Sequence, residues 1–181
     1  SVIEQFDELE GQEERIVNSY EKISAGVAID FQKGIGIIAE GTQNAGSVAK
    51  ESGMQFEEFA ASIAKVSEKT RQDGSVIGNA YKTILARTSR SQSADLDVSD
   101  EDRSKASKAL SAIGISVYDQ NGEYQDFSKT LDQLSGKWNQ LSKSQQSYIA
   151  EQMAGIRNLN TMSAIIETWQ DAKSLASDAL T

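Results

Sequence analysis

The stretch Ile113-Gly-Ile-Ser-Val-Tyr-Asp-Gln-Asn-Gly-Glu-Tyr124 stands between segments whose apolar residues follow helical spacing. Asp119 and Gly122 hold the first and last positions of a type I turn, and Gly122 can adopt the left-handed conformation of a bulge. The stretch therefore predicts a small β-hairpin near residues 115–126. Because a two-stranded hairpin is marginally stable alone, we expect it to pack on helices. The packing residues would be Ile115, Val117, Tyr118 and Tyr124.

The same turn carries alternating polar side chains at Asp119, Asn121 and Glu123, as a calcium-binding loop does. An EF-hand loop also requires glycine at its sixth position and glutamate at its twelfth. Tyr124 and Thr130 occupy those positions here. The pattern therefore indicates a turn and not a metal site.

Helical patterns lie on both sides of the hairpin. Downstream, Phe127 begins an apolar stripe, a capping box starts a new helix at Ser142, and Gly155 should break or bend that helix. Upstream, Gly53 suits a helix C-terminus, and the spacing of Gly74 to Gly78 lets their helix approach a neighbour closely. Ser99 to Asp102 resembles a capping box at the start of a further helix. The predicted fold class is all-α: a multi-helix array of about seven helices with one small β-hairpin inserted between helices.

An amphipathic helical arm is predicted over residues 1–33. Its apolar residues recur at spacings of four and three, interrupted at Glu13, which is the pattern of a helix seam. The seam consists of Val2, Phe6, Leu9, Ile16, Tyr20, Ile23 and Val27. It suits either a partner helix or the core of this chain, and the sequence leaves both alternatives open.

Residues 34–181 form the predicted core module. Residues 88–98 have no apolar period and the composition of a mobile loop, so a flexible joint is expected there. Gly34-Ile-Gly-Ile-Ile-Ala39 has the glycine spacing of a dinucleotide-binding fingerprint. A helical pattern precedes it where that fingerprint needs a buried strand, so we predict no bound cofactor.

Composition argues against several classes of function. A net charge of −9 disfavours binding to a nucleic-acid backbone, and the chain contains neither His nor Cys. The commonest general base and the commonest transition-metal ligands are therefore missing. Glu57 and Glu58 suit a solvated helix start, while Tyr148 and Trp169 suit the core. We predict no catalytic residues, no metal site and no enzymatic activity.

The chain contains no apolar run that could form a membrane span, which takes about 20 residues. The longest run lies near Ile35 to Ala39. Because the sequence opens with Ser1 and not with Met, we expect it to be a piece of a longer protein.

Four stretches in the same order resemble the core region of phage tail tape measure proteins, the minor tail protein family of long-tailed phages and prophages. They are residues 48–64 (VAKESGMQFEEFAASIA), 73–87 (DGSVIGNAYKTILAR), 110–122 (LSAIGISVYDQNG) and 153–160 (MAGIRNLN). The resemblance extends from about Ala25 to Ala172. Gly155 and Arg157 match the family's most characteristic short motif, and Asn121 and Gly122 match its turn. By this resemblance we expect all four residues to be fold determinants.

The resemblance implies a non-enzymatic structural component that sets tail length through chain length and scaffolds assembly of the tail tube. Such proteins associate with the tail tube protein, tail assembly chaperones and tail-tip hub proteins. They occupy the tube lumen of the virion tail after assembly in the host bacterial cytoplasm. Self-association through helices is a further expectation. The alternative is a cytoplasmic helical adaptor or chaperone module that binds partner helices through the N-terminal seam.

Overall fold

The structure, a computed structural model, describes Phe6, residues 11–89 and residues 98–181. Eight α-helices lie within these residues, which confirms the predicted all-α class. They are α1 (Glu13–Ala25), α2 (Phe31–Glu51), α3 (Phe56–Thr70), α4 (Gly74–Thr88), α5 (Asp100–Ser111), α6 (Phe127–Lys137), α7 (Lys143–Ala154) and α8 (Leu159–Ala179). Short 3-10 turns, Trp138–Gln140 and Ile156–Asn158, follow α6 and α7.

Helix α3 is the centre of the fold. Ten of its fifteen residues are buried, and α2 and α8 pack extensively against it. Aromatic rings tie it to its other neighbours: the centroid of Phe59 lies 5.2 Å from that of Tyr81 in α4, and Phe56 lies 5.5 Å from Phe6. A helix that is apolar around most of its circumference is stable only when other elements cover it. The high apolar content of α3 therefore explains why other helices cover it on several sides.

Helices α2 and α4 pack at backbone distance because glycines stand where side chains would separate them. A Cβ on Gly74 would overlap the carbonyl oxygen of Ile37, and one on Gly78 would lie 2.9 Å from the Cβ of Asn44. The Nδ2 group of Asn44 donates to the carbonyl oxygen of Ser75 at 3.1 Å and fixes the register of the two helices. The close approach predicted from the Gly74–Gly78 spacing is confirmed.

Local signals place several helix ends where the sequence predicted them. Ser99 and Ser142 form capping boxes at the starts of α5 and α7, and each hydroxyl accepts from a backbone N–H three residues on at 3.1 Å. Gly53 follows α2 in a left-handed conformation, with φ of 81°. Gly155, where the sequence predicted a break or a bend, breaks the helix, because α7 ends at Ala154.

The predicted β-hairpin is wrong. The described part of the chain contains no strand, and residues 115–126 form a tight loop with one isolated antiparallel bridge between Tyr118 and Tyr124. Ile115 and Val117 are buried in the core on one side, and α6 begins directly after the loop on the other. Two backbone hydrogen bonds cross the loop, from the N–H of Gln125 to the carbonyl oxygen of Val117 at 2.9 Å and from the N–H of Asp119 to that of Glu123 at 2.7 Å, but the pairing does not continue into strands.

Several predictions fall on residues outside the described part of the chain. Residues 1–5 and 7–10 belong to the predicted arm, and residues 90–97 make up most of the predicted flexible joint. The division into an arm over 1–33 and a module over 34–181 stays a prediction.

Candidate interaction surfaces

Asp119 organises the turn that the sequence singled out. Its Oδ1 accepts from the backbone N–H groups of Asn121 at 2.8 Å and Glu123 at 3.1 Å. Gly122 has a φ of 78°, the left-handed conformation expected of it. The Asp119 carboxylate therefore closes a turn, and Asn121 enters this network through its main chain. Whether Asn121 and Gly122 determine the fold stays a prediction.

Two tyrosines flank this turn and form an exposed ridge. The ring centroids of Tyr118 and Tyr124 lie 4.8 Å apart. Tyr118 is 43% exposed, which differs from its predicted role in packing the loop. Tyr124 is half-buried; burial raises its pKa, and its neighbour Tyr118 adds to that rise. Shallow polar grooves lie beside the ridge, one against α5 and one against α6.

Gly155 sets the connection between α7 and α8. Its φ of 81° and ψ of 160° lie in a region that is essentially restricted to glycine. A Cβ at this position would lie 3.3 Å from Nη2 of Arg87. Arg87 in turn donates from Nη1 to the carbonyl oxygen of Gln152 at 3.3 Å, near the end of α7. Both observations support the predicted role of Gly155 in the fold.

Arg157 has a different environment from Gly155. Its side chain is exposed and has no hydrogen bond or ion pair within the described residues, so no contact there supports a role in the fold. Ile156 beside it is 75% exposed. Tyr148, which we expected in the core, is 56% exposed because it lies on the outer face of α7, whereas Ile149 faces the core. The exposed side chains of Ile156, Arg157 and Tyr148 are free to contact another molecule.

The described part of the N-terminal seam packs on this chain's own core. Its members that are buried or packed against the core are Phe6, Ile16, Tyr20, Ile23 and Val27. The ring of Tyr20 lies 5.9 Å from that of Phe56 in α3. Val2 and Leu9 lie outside the described residues. The packing favours the intramolecular alternative for this seam, and it leaves a partner helix no free surface at the described positions.

An ion pair between a partly exposed arginine and a buried carboxylate attaches α1 to α3, and sequence reasoning missed it. The side chain of Glu57 has no exposed surface, so its expected place at a solvated helix start is wrong. Nε of Arg15 donates to its Oε2 at 3.2 Å, and Nη2 of Arg15 pairs with its Oε1. A two-point guanidinium–carboxylate pair satisfies both groups. An acidic first turn of a helix looks the same in a sequence whether it is solvated or paired, because the partner lies 42 residues away.

Within the described residues, no group of three or more His, Cys, Asp or Glu side chains is placed to hold a metal ion. No helix in the same part of the chain is long and apolar enough to cross a membrane.

The fold and these surfaces describe a helical module that presents polar turns and isolated apolar side chains to other molecules. A family model described as phage-related minor tail protein matches residues 23–155, which is well over half of the chain. The chain belongs to the phage-related minor tail protein family. The match extends from the last turn of α1 to the end of α7. No solved structure matches the chain.

Membership confirms the predicted resemblance at the level of this family. It indicates a structural role in a phage tail, in contact with other tail components. Such a role agrees with exposed turns that carry Tyr118, Ile156 and Arg157.

Proposed function

We propose that the chain is a folded module of a tail tape measure protein, which sets tail length and scaffolds assembly of the tail tube without catalysing a reaction. The observation that carries the proposal is the family match over residues 23–155. Four stretches that resemble tape measure proteins, in the same order along the chain, support the finer assignment.

The proposal includes partners and a location. In the assembled tail the module lies in the tube lumen against the tail tube protein, and before assembly it is held by tail assembly chaperones in the host cytoplasm. Tail-tip hub proteins are its third class of partner. The Tyr118–Tyr124 ridge and the exposed pair Ile156–Arg157 are the surfaces with which it would make these contacts.

The test is an in-frame deletion of this segment from the gene that carries it, followed by measurement of tail length by electron microscopy. A duplication of the segment is the matched control, because a ruler must lengthen by the amount that the deletion shortens it. We expect intact tails of one uniform, shorter length from the deletion and of one uniform, longer length from the duplication.

Unchanged length in both strains would refute a ruler role for this segment. If the deletion abolishes tails, the duplication alone decides, because it removes no contact surface. Tails of normal length from the duplication would then count against the proposal.

A further inference from the structure

The groove between the Tyr118–Tyr124 ridge and α6 is lined by polar groups. It has a volume of about 620 Å³, which lies in the range of small-molecule sites, and it is open to solvent. Eight of the described residues line it, and half of these carry carboxamides, each with two N–H donors and an acceptor oxygen. The four are Gln120, Asn121, Gln125 and Gln133. The groove therefore suits a ligand that both donates and accepts hydrogen bonds.

Hydrogen bonds to the protein itself hold three of these polar groups in place. Nε2 of Gln125 donates to the carbonyl oxygen of Ser116 at 2.8 Å and to Oε1 of Gln133 at 3.2 Å. Oδ1 of Asp119 accepts from two backbone N–H groups of the turn. Within the described residues, Oε1 of Gln125, Nε2 of Gln133 and Oδ2 of Asp119 have no hydrogen-bond partner. A ligand can use these two acceptors and this donor with little of the entropy cost of ordering side chains.

Tyr118 adds an apolar surface to the groove. Its side chain is exposed, and the ring of Tyr124 supports it at a centroid distance of 4.8 Å. The face of an aromatic ring attracts C–H groups because the π-system makes that face negative. A pyranose ring has C–H groups on its flat side and hydroxyl groups around its edge. Tyr118 and the carboxamides thus provide the two kinds of contact that a sugar ring makes.

The charges that line the groove cancel. Asp119 and Lys129 are the charged members among the described lining residues, whereas the whole chain carries a net charge of −9. A phosphate or carboxylate ligand would gain no net attraction there. An apolar peptide side chain would remove water from the carboxamides without replacing their hydrogen bonds. A neutral ligand rich in hydroxyl groups avoids both costs.

We infer that this groove binds a neutral oligosaccharide, one pyranose ring of which stacks on Tyr118. The free groups of Gln125, Gln133 and Asp119 bind hydroxyl groups of that sugar. The inference goes beyond a structural role in a tail and does not rest on it. Deletion and duplication of the segment test the tail role separately, so failure of either proposal leaves the other in place.

Titration of the isotope-labelled chain with tetrasaccharides, followed by NMR, tests the inference. The neutral probes are tetramers of N-acetylglucosamine, of α-linked glucose and of β-linked glucose. A tetramer of galacturonic acid tests for simple charge attraction to Lys129. We expect at least one neutral tetramer to shift the backbone amide signals of residues 116–125.

Substitutions separate ring stacking from other effects. Tyr118→Ala should weaken binding about tenfold, whereas Tyr118→Phe keeps the aromatic face and should bind nearly as well as the wild type. Tyr148→Ala is the matched control, because Tyr148 is also an exposed tyrosine but lies on α7 outside the groove. It should leave the affinity unchanged. If Tyr118→Ala disturbs the loop, Gln133→Ala decides in its place, with an expected loss of about fivefold.

Loop shifts that require Tyr118 and not Tyr148 support the sugar site. If no neutral tetramer shifts the loop, or if the galacturonic acid tetramer alone does so, the inference is refuted. Equal affinity of the wild type and Gln133→Ala, in a Tyr118→Ala chain that also binds equally, would place the sugar elsewhere. A loop that shifts with the tail tube protein and with none of the neutral sugars would be a protein contact, which also refutes the inference.

Discussion

Tyr81 lies fully buried where α3 meets α4, and its hydroxyl shares a hydrogen bond with that of Ser62. Burial raises the pKa of Tyr81 far above its usual value of 10.0, and the bond to Ser62 reduces that rise in part. The pKa of Tyr20, which lies in α1 half-buried beside Phe56 of α3, shifts in the same direction for the same first cause. Both phenols therefore stay protonated in the folded chain at a pH where an unfolded chain ionises them.

These shifts predict loss of stability in alkali. Above about pH 10 the unfolded state releases tyrosine protons that the folded state keeps, so the free energy of unfolding falls as pH rises. Tyr81→Phe should lower that free energy by about 1 kcal/mol at pH 7, through loss of the bond to Ser62. It should also lose less stability than the wild type between pH 9 and pH 11 in urea titrations. Equal losses in both proteins would contradict this assignment.

Gly155 and Gly122 allow a comparison of two positive-φ glycines. Gly155 lies in the glycine-only region and faces Arg87, whereas a Cβ on Gly122 would meet nothing within 4 Å. We expect Gly155→Ala to lower the free energy of unfolding by about 3 kcal/mol and Gly122→Ala by about 1 kcal/mol. Chemical denaturation measures both. A Gly155 variant as stable as the wild type would remove it from the fold determinants.

At the scale of helices, the packing of α2 on α4 depends on the absence of side chains at particular positions. Gly74 begins α4 against the backbone of Ile37, and Gly36 lies in α2 with open space around it. Both are glycines in helices, but only at Gly74 would an added Cβ collide with another helix.

The same substitution should therefore have opposite effects at the two sites. Gly74→Ala forces α4 away from α2, and we expect it to lower the free energy of unfolding by about 2 kcal/mol. Gly36→Ala gains helix propensity without a clash and should raise that free energy by up to about 1 kcal/mol. Thermal unfolding followed by circular dichroism measures the pair, and a stabilising Gly74→Ala would contradict the packing described above.

At the scale of the whole molecule, α8 joins distant parts of the chain around one core. Nε1 of Trp169 donates to Asp132 of α6 at 2.8 Å, and the hydroxyl of Thr161 donates to the side chain of Gln72, between α3 and α4, at 3.0 Å. The helices are thus folded on one another rather than laid end to end, which bears on how much tail length one segment can specify.

The two arrangements predict different tail lengths after the in-frame deletion. A single extended helix of 181 residues would account for about 270 Å of tail. A compact domain of this size is about 40 Å across, so a module that stays folded in the tube should shorten the tail by that smaller amount. Electron micrographs resolve the difference. A shortening near 270 Å would mean that the helices separate in the tube.

The sequence by itself determined the helices, most of their ends and the family. Apolar spacing, capping serines and glycines act within a few residues, so α3, the starts of α5 and α7 and the break at Gly155 could be predicted locally. The four family-like stretches are also read directly from residue order. The predicted hairpin failed because a turn signal specifies a reversal of the chain but not whether its flanks are free to pair.

Only the tertiary structure decided which surfaces are buried and which are free. Glu57 is buried because α1 brings Arg15 to it from 42 residues away, and Tyr148 is exposed because no helix covers the outer face of α7 within the described residues. For the same reason, the sequence could not show whether the N-terminal seam packs on this chain's own core or on a partner helix. Periodicity shows that a helix has an apolar face, but its partner depends on contacts between residues far apart in the chain.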